Sequence, residues 1–225
     1  MGIGFRVLER TQVVSTHQIE RFKTLPVANV SDMMGRLPGT GPSLRPYHRQ
    51  GVMAGPALTV KAPAGDNLML HKAINMAQPG DVIVVDAAGD VSRALMGELM
   101  LAYAIKRGVA GFVLNGAIRD CDAFLEQNLP TFAAGVNHLG PYKNGPGEIN
   151  TPIAINNMVI MPGDLILGDS DGVVCVPISQ CDEIYELTQR KHAQELEQLK
   201  AIEAGTNDRS WVDAALLKAG CSLPN

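Results

Sequence analysis

The sequence predicts an α/β domain followed by a helical tail, and three patterns carry that expectation. Helical and extended segments alternate between Leu68 and Asn115. Val82-Ile83-Val84-Val85 is apolar at every position, as in a strand covered on both faces. After Gly147, short extended segments follow one another and lead into a long helix with a polar face. The body is expected over residues 1–178 and a helical extension, packed on the body or on a neighbouring subunit, over 179–225.

Ser15 to Leu25 has helical periodicity, and Pro26 breaks it before a second short helix from Asn29 to Met34. Gly39, Gly41, Pro38 and Pro42 keep the stretch from Gly35 to Pro46 irregular. Val52 to Lys61 is rich in β-branched and small residues and is read as a strand. A helix is expected at Leu68 to Met76, a strand at Asp81 to Asp86, a loop at Ala87 to Ser92 and a helix at Ala94 to Arg107. Within that last stretch Gly97 is poor as a helix-interior residue and marks the helix start more naturally.

A strand at Ala110 to Asn115, a short helix at Asp120 to Gln127 and a strand at Thr131 to Gly135 continue the alternation. Beyond the loop from Gly135 to Gly147, the segments Ile153 to Ile155, Met158 to Met161, Asp164 to Leu167 and Val173 to Pro177 are expected to form an antiparallel layer. Ser179 is expected to cap a helix running through Glu203 and closed by Gly205. Pro79-Gly80-Asp81 and Pro162-Gly163-Asp164 echo one another, each as a tight turn that delivers a strand.

The bulk properties narrow the function classes. A chain of 225 residues with 46% hydrophobic and 19% charged residues can bury a full core. Its formal net charge of -4 with no basic run argues against nucleic acid as a partner, because phosphate binding draws on clustered Lys and Arg. Cys121, Cys175, Cys181 and Cys221 form no C-x-x-C pair, and reduced thiols in a cytoplasm are the expected state. Arg6, Glu9 and Arg10 interrupt the N-terminal segment, so no secretory signal is read there, and no apolar run is long enough to span a membrane.

Several chemistries lack their residues. There is no phosphate-binding G-x-x-x-x-G-K-[ST], and Gly39-Thr40-Gly41 meets Pro42 where a dinucleotide fold needs a helix. The five histidines have no H-x-x-x-H spacing, and no G-x-S-x-G presents a serine nucleophile. A Schiff-base lysine would need desolvation, and Lys61 and Lys72 remain the two weak candidates.

Two segments can form a site together. Gly97-Glu98-Leu99-Met100 opens a helix, where free backbone N–H groups attract anions. Asn115-Gly116-Ala117-Ile118-Arg119-Asp120 lies at the C-terminal end of a strand, where open α/β sheets bind ligands. Arg119 offers a planar fork for a carboxylate or enolate oxygen, and Asp120 offers one carboxylate to a hard, hydrated cation. The competing account is an exposed turn in which Asp120 caps the next helix and Arg119 pairs with a nearby acid.

G-E-L-M at Gly97 to Met100, A-x-x-R-G-x-x-G at Ala104 to Gly111 and N-G-A-I-R-D at Asn115 to Asp120 resemble the signature of the 4-hydroxy-4-methyl-2-oxoglutarate aldolase and regulator of ribonuclease E activity A (RraA-like) family. The resemblance runs from Val30-Ser31-Asp32 to Gly168-Asp169-Ser170-Asp171-Gly172-Val173-Val174. It implies a β/β/α sandwich resembling the swivelling phosphohistidine domain, assembled as a homotrimer or homohexamer with sites between subunits. It further implies that the backbone of Gly97, Glu98, Leu99 and Met100 holds a pyruvyl group, that Arg119 contacts substrate and that Asp120 binds Mg2+ or Mn2+. Glu98 would orient metal-bound water, and Glu195 matches the position from which a second subunit offers an acid.

The activity so implied is metal-dependent cleavage of 4-hydroxy-2-oxo acids to pyruvate, with oxaloacetate decarboxylation on the side. No histidine is placed by motif as a base. Arg36, Arg45, His48, His138 and Lys143 are candidates for a distal carboxylate. The alternative function is a non-catalytic regulator that docks on ribonuclease E; the segment from Ser179 to Asn225 extends beyond the length of those regulators and favours the aldolase branch.

Overall fold

The computed structural model describes residues 2–224. The chain divides into two compact units, Met1–Thr188 and Gln189–Asn225. In the first, eleven strands and six helix starts are ordered as β1 (Phe5–Val7), α1 (Thr16–Phe22), α2 (Val27–Met33), β2 (Arg45–Pro46), β3 (Met53–Lys61), α3 (Leu68–Met76), β4 (Val82–Met96), α4 (Glu98–Lys106), β5 (Gly111–Ile118), α5 (Cys121–Gln127), β6 (Thr131–Val136), β7 (Gly147–Ile149), β8 (Ile153–Ile155), β9 (Met158–Ile160), β10 (Leu165–Asp169), β11 (Gly172–Val176) and α6 (Cys181–Glu203). Helix α6 continues into the second unit, which also holds α7 (Ser210–Lys218).

The main sheet has the order β1-β7-β3-β4-β5-β6-β2, and its centre, β3 to β6, is parallel. Strand β3 serves two neighbours in succession. Met53 to Pro56 pair antiparallel with β10, and Ala57 to Lys61 pair parallel with β4. Strands β10 and β11 form an antiparallel pair, as do β8 and β9, but the four do not make the single antiparallel layer expected: β8 and β9 stand as a separate two-stranded sheet, and β10 joins the main sheet through β3.

Alternation along the central strands distributes side chains between two cores. Ile83 and Val85, with Leu58, Val60, Phe112 and Leu114, face Leu70, Ile74, Leu101 and Phe124 of α3, α4 and α5. Val82 and Val84, with Ala57, Val113 and Phe132, face Ile153, Ile155, Met158 and Ile160. The all-apolar run is therefore a strand covered on both faces, and each such side chain contributes roughly 1.5–3 kcal/mol by leaving water. A third core joins Phe22, Val27 and Val30 to Leu165, Val174, Val176 and Ile184.

Three local expectations are corrected. The segment Ala87 to Ser92 is not a separate loop, and Ala94 to Met96 are not helical: β4 runs to Met96 with register shifts against β5 at Asp86/Asp90, Asp90/Ala94 and Ala94/Met96. Tertiary bonds hold this stretch extended. Asn137 Nδ2 donates to the carbonyls of Val91 and Ser92, both at 2.9 Å, and the Ala94 N–H donates to Leu139 O at 2.9 Å. Ser179 does not cap α6, because Ile178 to Gln180 form a 3-10 turn whose first N–H donates to Asp164 Oδ1 at 3.0 Å. The sequence reading also lacked β1, β2, β7 and α7 as elements; β2 falls in the stretch from Gly35 to Pro46 expected to be irregular, where Arg45 and Pro46 pair with β6.

The two Pro-Gly-Asp turns are built alike. Gly80 and Gly163 have φ of 93° and 90°, which a side chain would strain. Each aspartate accepts the N–H three residues before it, Gln78 to Asp81 at 2.8 Å and Met161 to Asp164 at 3.1 Å. Asp81 is also gripped by both terminal nitrogens of Arg10, at 2.7 and 2.8 Å, which ties the N-terminal segment to the sheet.

In the second unit the helix ends as expected at Gly205, whose φ is 69° and whose neighbour Thr206 returns its N–H to Ala201 O at 2.9 Å. Leu196, Leu199, Ile202, Trp211 and Leu217 of this unit are exposed. No helix among the described residues is long and apolar enough to cross a membrane.

Candidate active site

Strands β4 and β5 are parallel neighbours and end side by side, with Met96 paired to Ile118. The chain leaves them through Gly97 and Arg119, and the Arg119 N–H donates to Met96 O at 3.0 Å, which clasps the two exits together. Gly97 then occupies the N-cap position of α4 without a capping side chain. Asp120 occupies the N-cap position of α5, with φ 58° and ψ 45°. This left-handed backbone costs an aspartate about 1 kcal/mol or more.

The Asp120 side chain does not cap its own helix. It turns to α4 instead, where its Oδ2 accepts the Glu98 N–H at 3.0 Å. Asp120 thus supplies, from the next loop, the cap that Gly97 lacks. A Cβ on residue 97 would overlap Asp120 Oδ2 and lie 3.0 Å from Arg119 Cγ, so the close approach requires glycine. Arg119 Nε is 3.7 Å from Asp120 Oδ2, and the two side chains are 45% and 43% exposed. Of the competing account, the cap on the next helix is absent, whereas Arg119 does pair with a nearby acid, Asp120.

Beneath them lies a cavity of about 220 Å³. Gly97, Leu99, Met100, Arg119 and Asp120 line one side of it, so most of the expected site residues do meet. Glu98 takes part through its N–H, and its side chain is exposed. Glu195 stands in the other unit, on α6, with its carboxylate 2.9 Å from Lys191 Nζ.

The remaining wall includes Asn67, His71, Pro141 and Lys143. Asn67 is 2% exposed; its Nδ2 donates to Leu95 O at 2.8 Å and toward Met100 Sδ at 3.3 Å, and its Oδ1 has no hydrogen-bond partner. An unpaired buried acceptor of this kind costs roughly 1–3 kcal/mol. His71 is half-buried, and burial together with the nearby Lys143 cation lowers its pKa. Sequence reasoning missed Asn67 and His71. The signal available was their spacing of four residues at the start of the expected Leu68–Met76 helix, which puts them on one face.

Of the candidates for a distal carboxylate only Lys143 lines this cavity. Arg36 is ion-paired with Asp32 at 2.6 Å, Arg45 lines a different cavity, and His48 is buried, exchanging contacts with the backbone of Thr131 and packing edge-on against Phe132. Lys61 is committed to an ion pair with Asp86, and Lys72 is exposed, which leaves neither as a Schiff-base lysine of this cavity.

Among the described residues no group of three or more His, Cys, Asp or Glu could hold a metal by itself. The donor set present is the single carboxylate of Asp120 at a solvent-accessible lip. That fits a hard cation such as magnesium, which keeps most of its water and takes further oxygens from substrate, and does not fit a zinc site built from protein ligands.

The fold and this cavity define the class: an α/β protein with a helix start that lacks a cap of its own, an arginine and a carboxylate at the C-terminal ends of adjacent parallel strands. Comparison with known proteins specifies it further. The model of the RraA-like family, described as Aldolase/RraA, matches residues 27–175, and the chain belongs to that family. A protein of Halalkalibacterium halodurans, provisionally named a 4-hydroxy-4-methyl-2-oxoglutarate aldolase, is 40% identical over 82% of this chain and 88% of its own.

Among solved structures, an uncharacterized protein from Pseudomonas syringae pv. tomato aligns with a TM-score of 0.77 at 24% identity, covering 86% of this chain and 96% of that one. The RNA-processing inhibitor RraA from Thermus thermophilis aligns with a TM-score of 0.61 at 26% identity, covering 68% and 92%.

Proposed function

We propose that this protein is a lyase that cleaves 4-hydroxy-2-oxo dicarboxylic or tricarboxylic acids, such as 4-hydroxy-4-methyl-2-oxoglutarate, to pyruvate. Oxaloacetate decarboxylation accompanies this as a side activity. The observation that carries the reading is Asp120 turned away from its own helix onto the first turn of α4, beside Arg119 and over the cavity.

A helix start leaves its first N–H groups without partners inside the helix. Asp120 takes that of Glu98, and those of Leu99 and Met100 remain to hold the C1 carboxylate of the substrate with the help of the helix dipole. Arg119 donates to the 2-oxo oxygen and stabilises the charge that gathers there as the C3–C4 bond breaks. Asp120 is the proposed ligand of Mg2+ or Mn2+; when bound, such a cation supplies Lewis-acid polarisation of the 2-oxo group. The Glu98 side chain orients water at the rim, and Glu195 of a second copy adds an acid. Oxaloacetate presents the same pyruvyl head, so the same residues hold it.

The names of the curated relatives support the lyase reading. The family's swivelling β/β/α architecture is supported by the two cores on opposite faces of the central sheet. We place the protein in the cytoplasm and its site in a homotrimer or homohexamer. The alternative, a non-catalytic regulator of ribonuclease E, has in its favour the fold shared with the Thermus inhibitor.

Pyruvate release from 4-hydroxy-4-methyl-2-oxoglutarate, with and without a chelator, tests the proposal. Metal-stimulated release that disappears in Asp120→Ala is the expected result. Absence of release from both 4-hydroxy-4-methyl-2-oxoglutarate and oxaloacetate, together with capture of ribonuclease E, would replace it with the regulator.

A further inference from the structure

With the pyruvyl head held at the start of α4 and beside Arg119, whatever the substrate carries at C4 meets the remaining wall of the cavity. That wall comes from two places: α3, which brings Asn67 and His71, and the segment between β6 and β7, which brings Pro141 and Lys143. Tyr142, Lys143 and Asn144 are exposed, so burial of their side chains contributes little to fixing this segment. Polar bonds fix it instead.

Asp66, 3% exposed in the turn before α3, accepts the Asn144 N–H at 2.6 Å and the Gly145 N–H at 3.0 Å on Oδ2, and the Leu68 N–H at 2.9 Å on Oδ1. One buried carboxylate thus ties the two parts of the wall together, through charge-assisted bonds that are short and directional. The backbones add a reciprocal pair, with Tyr142 N–H donating to Gly65 O at 2.8 Å and Asn67 N–H to Tyr142 O at 3.0 Å. A second anchor comes from β4. Arg93 Nη1 donates to Gly140 O at 2.9 Å, and its guanidinium lies 4.2 Å from the centre of the Tyr142 ring. Gly140 itself comes against the reacting end of the cavity, since a Cβ there would lie 3.3 Å from Arg119 Nη1. The segment therefore reaches from Arg119 to the start of α3, with one anchor near each end.

We propose that Asp66 and Arg93 are positioning residues that fix this wall and so set which C4 substituents the cavity accepts. This rests on the lyase reading above. Neither residue lines the cavity; both act through the segment that carries Pro141 and Lys143. A wall already in place when the substrate arrives adds affinity without an ordering cost at that moment. Loosening it weakens the hold on the C4 end and leaves the chemistry at the pyruvyl head unchanged, because Arg119 keeps Asp120 as its partner.

Two reactions of the full-length protein separate this role from a purely structural one. Cleavage of 4-hydroxy-4-methyl-2-oxoglutarate brings a hydroxyl, a methyl and a carboxylate on C4. Exchange of the methyl protons of pyruvate with deuterium passes through the same enolate and brings nothing beyond C3. Asp66→Asn keeps the shape and places an NH2 group where N–H groups must be accepted. It is expected to raise KM for cleavage by about tenfold, and at the least by about threefold, with kcat and the rate of pyruvate exchange each within about threefold of wild type. Arg93→Gln, which removes the other anchor, is expected to shift the same KM in the same direction by at least about threefold.

A rise in KM below about threefold in either folded variant would overturn the assignment of that residue. Equal losses in cleavage and exchange with KM unchanged would mark a structural role and overturn it as well, leaving the lyase reading in place. If Asp66→Asn does not fold, as a thermal melt would show, Arg93→Gln decides alone. A wild type that neither cleaves the substrate nor exchanges pyruvate protons would overturn the lyase reading itself.

Discussion

Helices α1 and α4 begin in opposite ways. Helix α1 is closed by its own sequence: Ser15 Oγ accepts the Gln18 N–H at 3.2 Å, and Gln18 Oε1 accepts the Ser15 N–H at 3.2 Å. Helix α4 begins at a glycine with nothing to offer and borrows one carboxylate oxygen from the loop after the next strand. A self-contained cap leaves little for a ligand. A borrowed cap leaves N–H groups open and brings a carboxylate and an arginine to the same spot, so stability is local at α1 and the groups of the proposed chemistry are gathered at α4.

That contrast can be broken most severely at Asp120. Asp120→Ala should lower turnover of 4-hydroxy-4-methyl-2-oxoglutarate by about a thousandfold or more and abolish its response to added metal, because it removes the cap and the proposed ligand together. A variant that keeps metal-stimulated turnover would separate the cap from the chemistry. Arg119→Lys follows, with an expected loss of about a hundredfold in kcat, since a point charge cannot reproduce the fork.

Gly97→Ala should depress activity by about tenfold or more, because the added methyl group displaces the Asp120 carboxylate. Steady-state kinetics beside a thermal melt would show whether the loss is confined to activity. Ser15→Ala should do the reverse, costing about 1 kcal/mol of stability with turnover unchanged.

The smallest effect concerns pH. The folded-state pKa of His71 lies below its ordinary 6.5, so between that lowered value and 6.5 the unfolded chain binds more protons and stability rises with pH. Chemical denaturation should show stability complete above about 6.5 and falling as the pH drops through this window. The same series in His71→Asn should lack that contribution.

The elements that repeat a simple period were legible. Leu68–Met76 falls on the expected residues, and Val82 to Val85 divide between two cores because both faces of β4 are covered. The long β4 was not legible, because Ala94 to Met96 read as helix locally, while Asn137 holds Val91 and Ser92 and Leu139 holds Ala94, more than forty residues away in sequence. In the site, Arg119 and Asp120 could be found as a pair because they are adjacent. Asn67 and His71 reach the same cavity through the packing of α3 beside α4, which no spacing between the two segments encodes. Asp120 gave no sign that it would cap the wrong helix, since that depends on its left-handed backbone.

The divided pairing of β3 has a consequence for how the chain is made. Met53 to Gly168 and Pro56 to Leu165 are partners separated by more than a hundred residues, so half of β3 must wait for β10 to be synthesised. Until then Met53 to Pro56 present an unsatisfied edge next to a strand already able to pair with β4. A nascent chain halted between β9 and β10 would carry that edge exposed, a template on which a second chain could pair.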